Sequence, residues 1–324
     1  MKLLVVRFSS IGDIVLTTPV LRALKQQLPK VEIHYLTKEV FKSVIEPNPH
    51  IDKIFTIQKS VGECTSQLKE ESYDWIIDLH NNIRTRSLKS ALRRPNKTLN
   101  KLNWKKWLLV RMKVDKLPDV HVVDRYFKTV EHLGVYPDGK PCEFPVTESQ
   151  EQDVLRKFNL SSKSYKAIVV GAKFKTKRLP LEKVHDVVER LDGPLVLVGG
   201  PDDQDFASEI ETKHGAKIIN ACGQVNLQGS AAIVKNASSV LTNDTGMMHI
   251  ASAYNVNIVS VWGNTVPALG MFAYRPESQD SFSIHEVEGL SCRPCSKIGF
   301  DECPKGHFDC MMKQSVDDLV KAMD

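Results

Sequence analysis

Ser239-Val240-Leu241-Thr242-Asn243-Asp244-Thr245-Gly246-Met247-Met248-His249-Ile250-Ala251-Ser252-Ala253 passes from an apolar pair through a polar turn into helical spacing. Val240 and Leu241 read as the end of a buried strand, and Thr242 to Gly246 as a tight turn. Met248, Ala251 and Ser252 then share one face of a helix. A strand that turns directly into a helix leaves backbone N–H groups and the positive end of the helix dipole open to an anion. Asp244 or Thr245 can cap that helix, and His249 lies one turn in. Taken alone, the pattern favours an ordinary capped helix with a packed histidine, since Asp-Thr-Gly turns are common.

Outward from this stretch the same alternation repeats. In the second half, Ala167–Val170, Leu195–Val198, Lys217–Ile219, Val240–Leu241 and Asn257–Val261 read as strands. Helical segments near Leu181–Leu191, Asp203–Lys213 and Leu227–Lys235 fall between them. In the first half, Lys2–Arg7, Val31–Leu36, Lys53–Ile57 and Trp75–Asp78 are the strands, and Pro19 starts a helix with Val20, Leu21, Leu24 and Leu28 inside. Strands separated by helices predict parallel sheets covered on both faces. Pro137, Gly139, Pro141 and Pro145 mark a linker, so two α/β domains are expected, 1–150 and 151–324. Gly12 stands alone where a dinucleotide fingerprint has three glycines, which disfavours a nicotinamide enzyme.

At 324 residues the chain is long for one core and comfortable for two. No apolar run approaches the ~18–20 residues of a membrane span. Arg7 and Asp13 interrupt the N-terminal apolar stretch, so a signal peptide is not expected and a cytoplasmic protein is. Seven cysteines in such a chain argue against a disulfide framework. The net charge of +5 is unevenly spread: Arg84 to Lys113 holds eleven Lys or Arg and no Asp or Glu, so +5 less +11 leaves the rest at −6. That asymmetry points to an anionic partner. Trp104 and Trp107 interleave with Lys101, Lys105, Lys106 and Arg111, a composition suited to a membrane surface or a phosphorylated glycolipid. No recognised nucleic-acid motif accompanies it.

Asp244-Thr245-Gly246-x-x-His249-x-Ala251-x-Ala253, together with the opening Arg7-Phe8-Ser9-Ser10-Ile11-Gly12-Asp13-Ile14-Val15-Leu16-Thr17-Thr18-Pro19, resembles the two signatures of the family 9 glycosyltransferases, the bacterial lipopolysaccharide heptosyltransferases. The resemblance covers essentially the whole chain. It implies two Rossmann-like domains facing a cleft (the GT-B fold), with the last helix, about 315–323, returning to the first domain. It further implies an inverting enzyme that moves heptose from ADP-heptose to the lipopolysaccharide inner core and requires no cofactor. The cations of Lys173 to Lys177 stand in for a metal at the leaving diphosphate, so metal-independent catalysis is expected, and the basic stretch makes the inner face of the cytoplasmic membrane the expected place of work.

Glycosyl transfer needs a base for the acceptor hydroxyl, charge stabilisation on the leaving diphosphate, and a cradle for an oxocarbenium-like sugar. Asp13, at the end of the first strand, corresponds to the family's catalytic aspartate. Thr176 and Lys177 resemble its phosphate-binding pair, in Lys173-Phe174-Lys175-Thr176-Lys177-Arg178-Leu179-Pro180. Asp202, where the family commonly has glutamate, falls at the donor's ribose or base. Asp244, Thr245, Gly246 and His249 complete the donor site. Arg84, Arg86 and Lys89 in the basic stretch are expected to bind the acceptor. Cys292, Cys295, Cys303 and Cys310, with His307 nearby, leave two readings open, a structural zinc and a reduced, packed thiol cluster; the wide second spacing favours the cluster. Rival functions are transfer of another nucleotide-activated sugar and a non-catalytic nucleotide-sugar binder.

Overall fold

Leu3, Leu4, Val5 and Val6 are fully buried on both faces, as a central parallel strand requires. In the computed structural model, which describes residues 1–276 and 281–324, they belong to β1 (Lys2–Val6). β2 (Glu32–Lys38), β3 (Lys53–Ile57), β4 (Trp75–Asp78) and β5 (Asn96–Thr98) complete a parallel sheet in the order β3-β2-β1-β4-β5. Its register sets Val6 beside Leu36 on one side and Asp78 on the other.

The second sheet comprises β6 (Lys166–Val169), β7 (Leu195–Val198), β8 (Ile218–Asn220), β9 (Ser239–Asn243), β10 (Asn257–Trp262) and β11 (Phe282–Glu286), ordered β11-β10-β9-β6-β7-β8. All its pairings are parallel as well. Two apolar clusters cover its faces, one built around Val187, Leu197 and Val259 and the other around Val196, Val240 and Ile258. The two expected α/β domains are therefore present, each a Rossmann-like sheet. β5 and β11 escaped the sequence reading because each is an edge strand. Their residues are partly or wholly exposed and carry no continuous apolar run.

Two expectations about domain limits are corrected. Contacts divide the chain into a first unit of Met1–Lys101 and Val120–Pro145, with a short segment from Tyr274, and a second unit holding Leu102–Asp119, Val146–Ala273 and the C-terminal stretch. A single boundary at 150 misses this exchange. Seven of the eleven cations precede Leu102 and four follow it, so the basic stretch is split between units. The last helix, Val316–Met323, clusters with the second unit. Val316, Leu319 and Met323 form an apolar stripe that joins the core of the second. Asn257 Nδ2 donates to Ala322 O at 2.7 Å and Ser239 Oγ to Met323 O at 2.7 Å, fastening the helix to the starts of β10 and β9.

Among the described residues no helix is long and apolar enough to cross a membrane.

Candidate active site

In an open parallel sheet, ligands bind beyond the C-terminal strand ends where the strand order reverses direction. In the second unit that point lies between β6 and β9: the chain runs outward through β7 and β8, then returns to β6's other side. The loop after β6 carries Lys177 on a short 3₁₀ turn, Lys175–Lys177. The turn after β9 carries Asp244. Lys177 Nζ donates to Asp244 Oδ2 at 2.5 Å and to Asp244 O at 3.3 Å, bridging the two strand ends. Thr265 Oγ1, in the loop after β10, donates to the same Oδ2 at 2.7 Å. Asn243 ties the mouth together. Its Oδ1 accepts from Leu179 N at 3.0 Å, and its Nδ2 donates to Val169 O at 3.1 Å.

The helix Gly246–Ala251 starts here, with Thr245 at its N-cap and His249 buried within it. Thr245 Oγ1 is buried without a hydrogen-bond partner, as are both amide atoms of Asn264, a side chain only 2% exposed. Buried polar atoms are rarely left unmatched unless a ligand or water completes them.

Arg293, within the Cys292–Cys295 turn, braces the wall from behind. It donates to Gly263 O at 2.5 Å and Thr265 O at 2.9 Å, and pairs with Glu286 at 2.8 Å. Gly263 is obligatory: a Cβ there would lie 2.8 Å from Thr176 O. Neither Asn243 nor Arg293 was identified as a site residue from sequence, because each acts through partners remote along the chain.

The first unit repeats the logic at its own reversal point, between β1 and β4. Arg7 crosses it, donating to Leu79 O at 2.5 Å and to Ser9 O at 2.8 Å. Its Nη2 meets Asp13 Oδ1 at 2.5 Å, while Asp13 Oδ2 accepts from Ser10 N at 3.1 Å and Ser10 Oγ at 2.9 Å. Both carboxylate oxygens are thereby oriented. Burial works against the Asp13 charge, yet Arg7 and the Ser10 bonds outweigh it and hold the carboxyl below its ordinary range. His80, at the end of β4, is pushed down to about 3 by burial and by the nearby cations Arg7 and Lys101, so its imidazole is neutral at physiological pH.

The other expected residues divide. Arg84 and Arg86 are exposed on the helix Ile83–Leu92, which follows β4 and is capped by Asn82. Lys89 on that helix turns inward instead. It pairs with the fully buried Asp78 at 2.9 Å, so its charge is matched within the unit. Thr176 is likewise engaged: its hydroxyl donates to Phe300 O and accepts from Phe300 N, both at 2.8 Å. Asp202 is exposed on the turn Pro201–Asp203. Its neighbour Asp203 is the residue that faces inward, accepting from Gly200 N at 2.9 Å and pairing with Arg178 at 2.9 Å. Asp203-Gln204-Asp205 has the Asp-x-Asp spacing of metal-binding transferases; Asp203 is engaged by Gly200 N and Arg178, whereas Asp205 is exposed on the next helix.

Ligands of one tetrahedral zinc lie about 3.8 Å apart for Zn–S bonds near 2.3 Å. Among the described residues, no three of Cys292, Cys295, Cys303 and Cys310 have sulfurs within 4.8 Å of one another, so as placed they do not form that ligand set. Cys310 is buried in the core, which pushes its thiol up to about 12, and Cys295 Sγ donates to Cys292 O at 3.1 Å. Glu32, His34 and Glu71 do converge, but at the opposite end of the first sheet, where Lys2 and Lys53 already balance Glu71.

Residues 61–295 match the model of glycosyltransferase family 9 (heptosyltransferase). The chain belongs to glycosyltransferase family 9. It is 24% identical to lipooligosaccharide heptosyltransferase 2 of Haemophilus ducreyi over 100% of this chain and 98% of that protein. Among solved structures, a family 9 glycosyl transferase from Veillonella parvula superposes with a TM-score of 0.79 at 23% identity, covering 99% of this chain and 95% of the other. An ADP-heptose lipopolysaccharide heptosyltransferase II from E. coli does so at 0.68 and 18%, covering 99% of each. These likenesses show the GT-B type of fold for this glycosyltransferase, and its two reversal points are where such a fold offers its sites.

Proposed function

We propose that this glycosyltransferase transfers heptose from ADP-heptose to a sugar hydroxyl of the lipopolysaccharide inner core, with inversion and without a metal. The observation that carries the reading is Lys177 bridging β6 and β9 at the mouth of the second sheet, in a chain of the heptosyltransferase family. The acceptor oxygen attacks the anomeric carbon as its proton passes to Asp13. The bond to the diphosphate breaks, and ADP leaves with its new negative charge held by Lys177 and the backbone N–H groups at Thr245 and Gly246. Thr245 Oγ1 and the Asn264 amide are the buried groups free to complete the donor's polar contacts.

Turnover against a panel of nucleotide sugars, with extracted lipopolysaccharide as acceptor, tests the assignment. ADP-heptose is expected to be the preferred donor. Preference for another nucleotide sugar would move the reading to a different surface glycan, and failure with all of them would leave a non-catalytic binder.

Because Lys177 supplies the countercharge, activity should persist in excess EDTA. Loss of activity that magnesium restores, with the fold intact by circular dichroism, would overturn metal independence.

The acceptor carries phosphates and carboxylates, and Arg84 and Arg86 are the exposed cations of the helix after β4. Reversing both to Glu should raise the acceptor KM severalfold, make it less salt-sensitive and leave ADP affinity unchanged. Weakened donor binding with normal acceptor handling would reverse the assignment of the two ligands.

A further inference from the structure

Trp104 and Trp107 lie one turn apart in the helix Asn103–Trp107 and stack with ring centroids 5.0 Å apart at 13°. They are nonetheless 68% and 46% exposed. Met112 and Val114 just beyond, and Ile298 and Phe300 from the C-terminal segment, are exposed as well. A folded domain rarely leaves so many large apolar side chains together in water without a use for them.

The two segments form one face. Lys113 Nζ donates to Val110 O at 2.9 Å, Cys292 O at 3.1 Å and Pro294 O at 2.6 Å, bolting the end of the first segment to the start of the second. Between them runs a groove of about 310 Å³, lined by Lys106, Trp107, Val110, Arg111, Ile298 and Phe300. The face is held rigidly from beneath. Thr176 clamps the backbone of Phe300, and Gly299, at φ +125°, lies so close to Phe174 that a Cβ would sit 2.6 Å from its Cβ.

We propose that this face of the second unit docks on a bilayer of acidic phospholipid, its tryptophans at the headgroup level and the groove taking a lipid headgroup with the upper part of a chain. The inference rests on the lipopolysaccharide acceptor proposed above, a lipid-anchored substrate, and names the surface that meets the membrane. Charge selects this occupant. Lys105, Lys106, Arg111 and Lys297 interleave with the apolar side chains, and no Asp or Glu occurs from Asn103 to Val114; Asp115 and the Asp301-Glu302 pair come only after the apolar residues of their segments. Lysine is depleted in protein–protein interfaces, whereas tryptophan flanked by cations is the composition of surfaces that lie on anionic membranes.

Co-sedimentation of the full chain with phosphatidylglycerol-containing vesicles, against pure phosphatidylcholine, reads the docking directly. Binding should require the acidic lipid, fall at 0.5 M salt and shift indole emission to shorter wavelength. Trp104→Ser with Trp107→Ser, or Lys105→Glu with Lys106→Glu and Arg111→Glu, should weaken it tenfold or more, with thermal midpoint and ADP affinity unchanged. The same variants should lose rate on vesicle-embedded acceptor and keep it on deacylated acceptor. Wild-type protein that ignores acidic vesicles, or variants that bind them like wild type, would overturn the proposal. Vesicle binding by a chain that transfers no heptose would instead support the docking face and remove the functional reading on which it was built.

Discussion

Asp13→Asn is expected to lower kcat by roughly 10²- to 10⁴-fold, the usual contribution of a general base, while ADP affinity stays near wild type. Asparagine keeps the side chain's shape and one of its two accepting oxygens but cannot take a proton. The same geometry predicts the pH profile. Transfer needs the ionised carboxylate, and Arg7 with the Ser10 bonds keeps Asp13 below its ordinary range, so the acid limb of kcat/KM should lie below the usual carboxylate value of about 3.9. Arg7→Gln removes the cation that offsets burial, so the limb should move upward in pH. The stability that the depressed pKa contributes is present above the unfolded value and is lost as pH falls through the folded one. Near-normal turnover of Asp13→Asn would remove this residue from the mechanism.

The second large effect is at Lys177. A charge-assisted contact to the diphosphate contributes about 1.5–3 kcal/mol, so Lys177→Ala should weaken ADP binding roughly 10- to 100-fold. Asp244 adds to the loss, because without its lysine the carboxylate faces the phosphates uncompensated. Lys177→Ala combined with Asp244→Asn should therefore bind ADP better than Lys177→Ala alone, a coupling that calorimetry of the four proteins measures. If both single changes lowered the thermal midpoint and left ADP affinity intact, the pair would be a structural brace and no part of the donor site.

Much of this was legible along the chain because it depends on local chemistry. Apolar runs such as Leu3–Val6 and Leu195–Val198 can be buried only as central strands, and their spacing by helices specifies parallel sheets. Asp13, on the short helix after β1, and Asp244, directly after β9, were singled out by the family resemblance and not by their position alone. The inward residues were not legible. Asp203 rather than Asp202 faces the mouth because the 3₁₀ turn Pro201–Asp203 rotates one carboxylate toward Arg178 and its neighbour into solvent, a choice of about one third of a turn that composition does not encode. Lys89 reads as one more cation in a basic run until the fully buried Asp78 is seen to need it.

The amino-acid sequence by itself determined that the chain is two wound α/β sheets of glycosyltransferase family 9, since periodicity and short strand-end motifs are local properties. Tertiary structure decided the order of the strands, and with it that the loops after β6 and β9 meet. Lys177 and Asp244 lie 67 residues apart and touch only because β9 pairs with β6. It also decided that the helix Val316–Met323 stays on the second sheet, where its apolar stripe meets β9 and β10, and that Leu102–Asp119 belongs to that unit. An amphipathic pattern states that a face will be buried; which partner buries it is a matter of packing between segments distant in the chain.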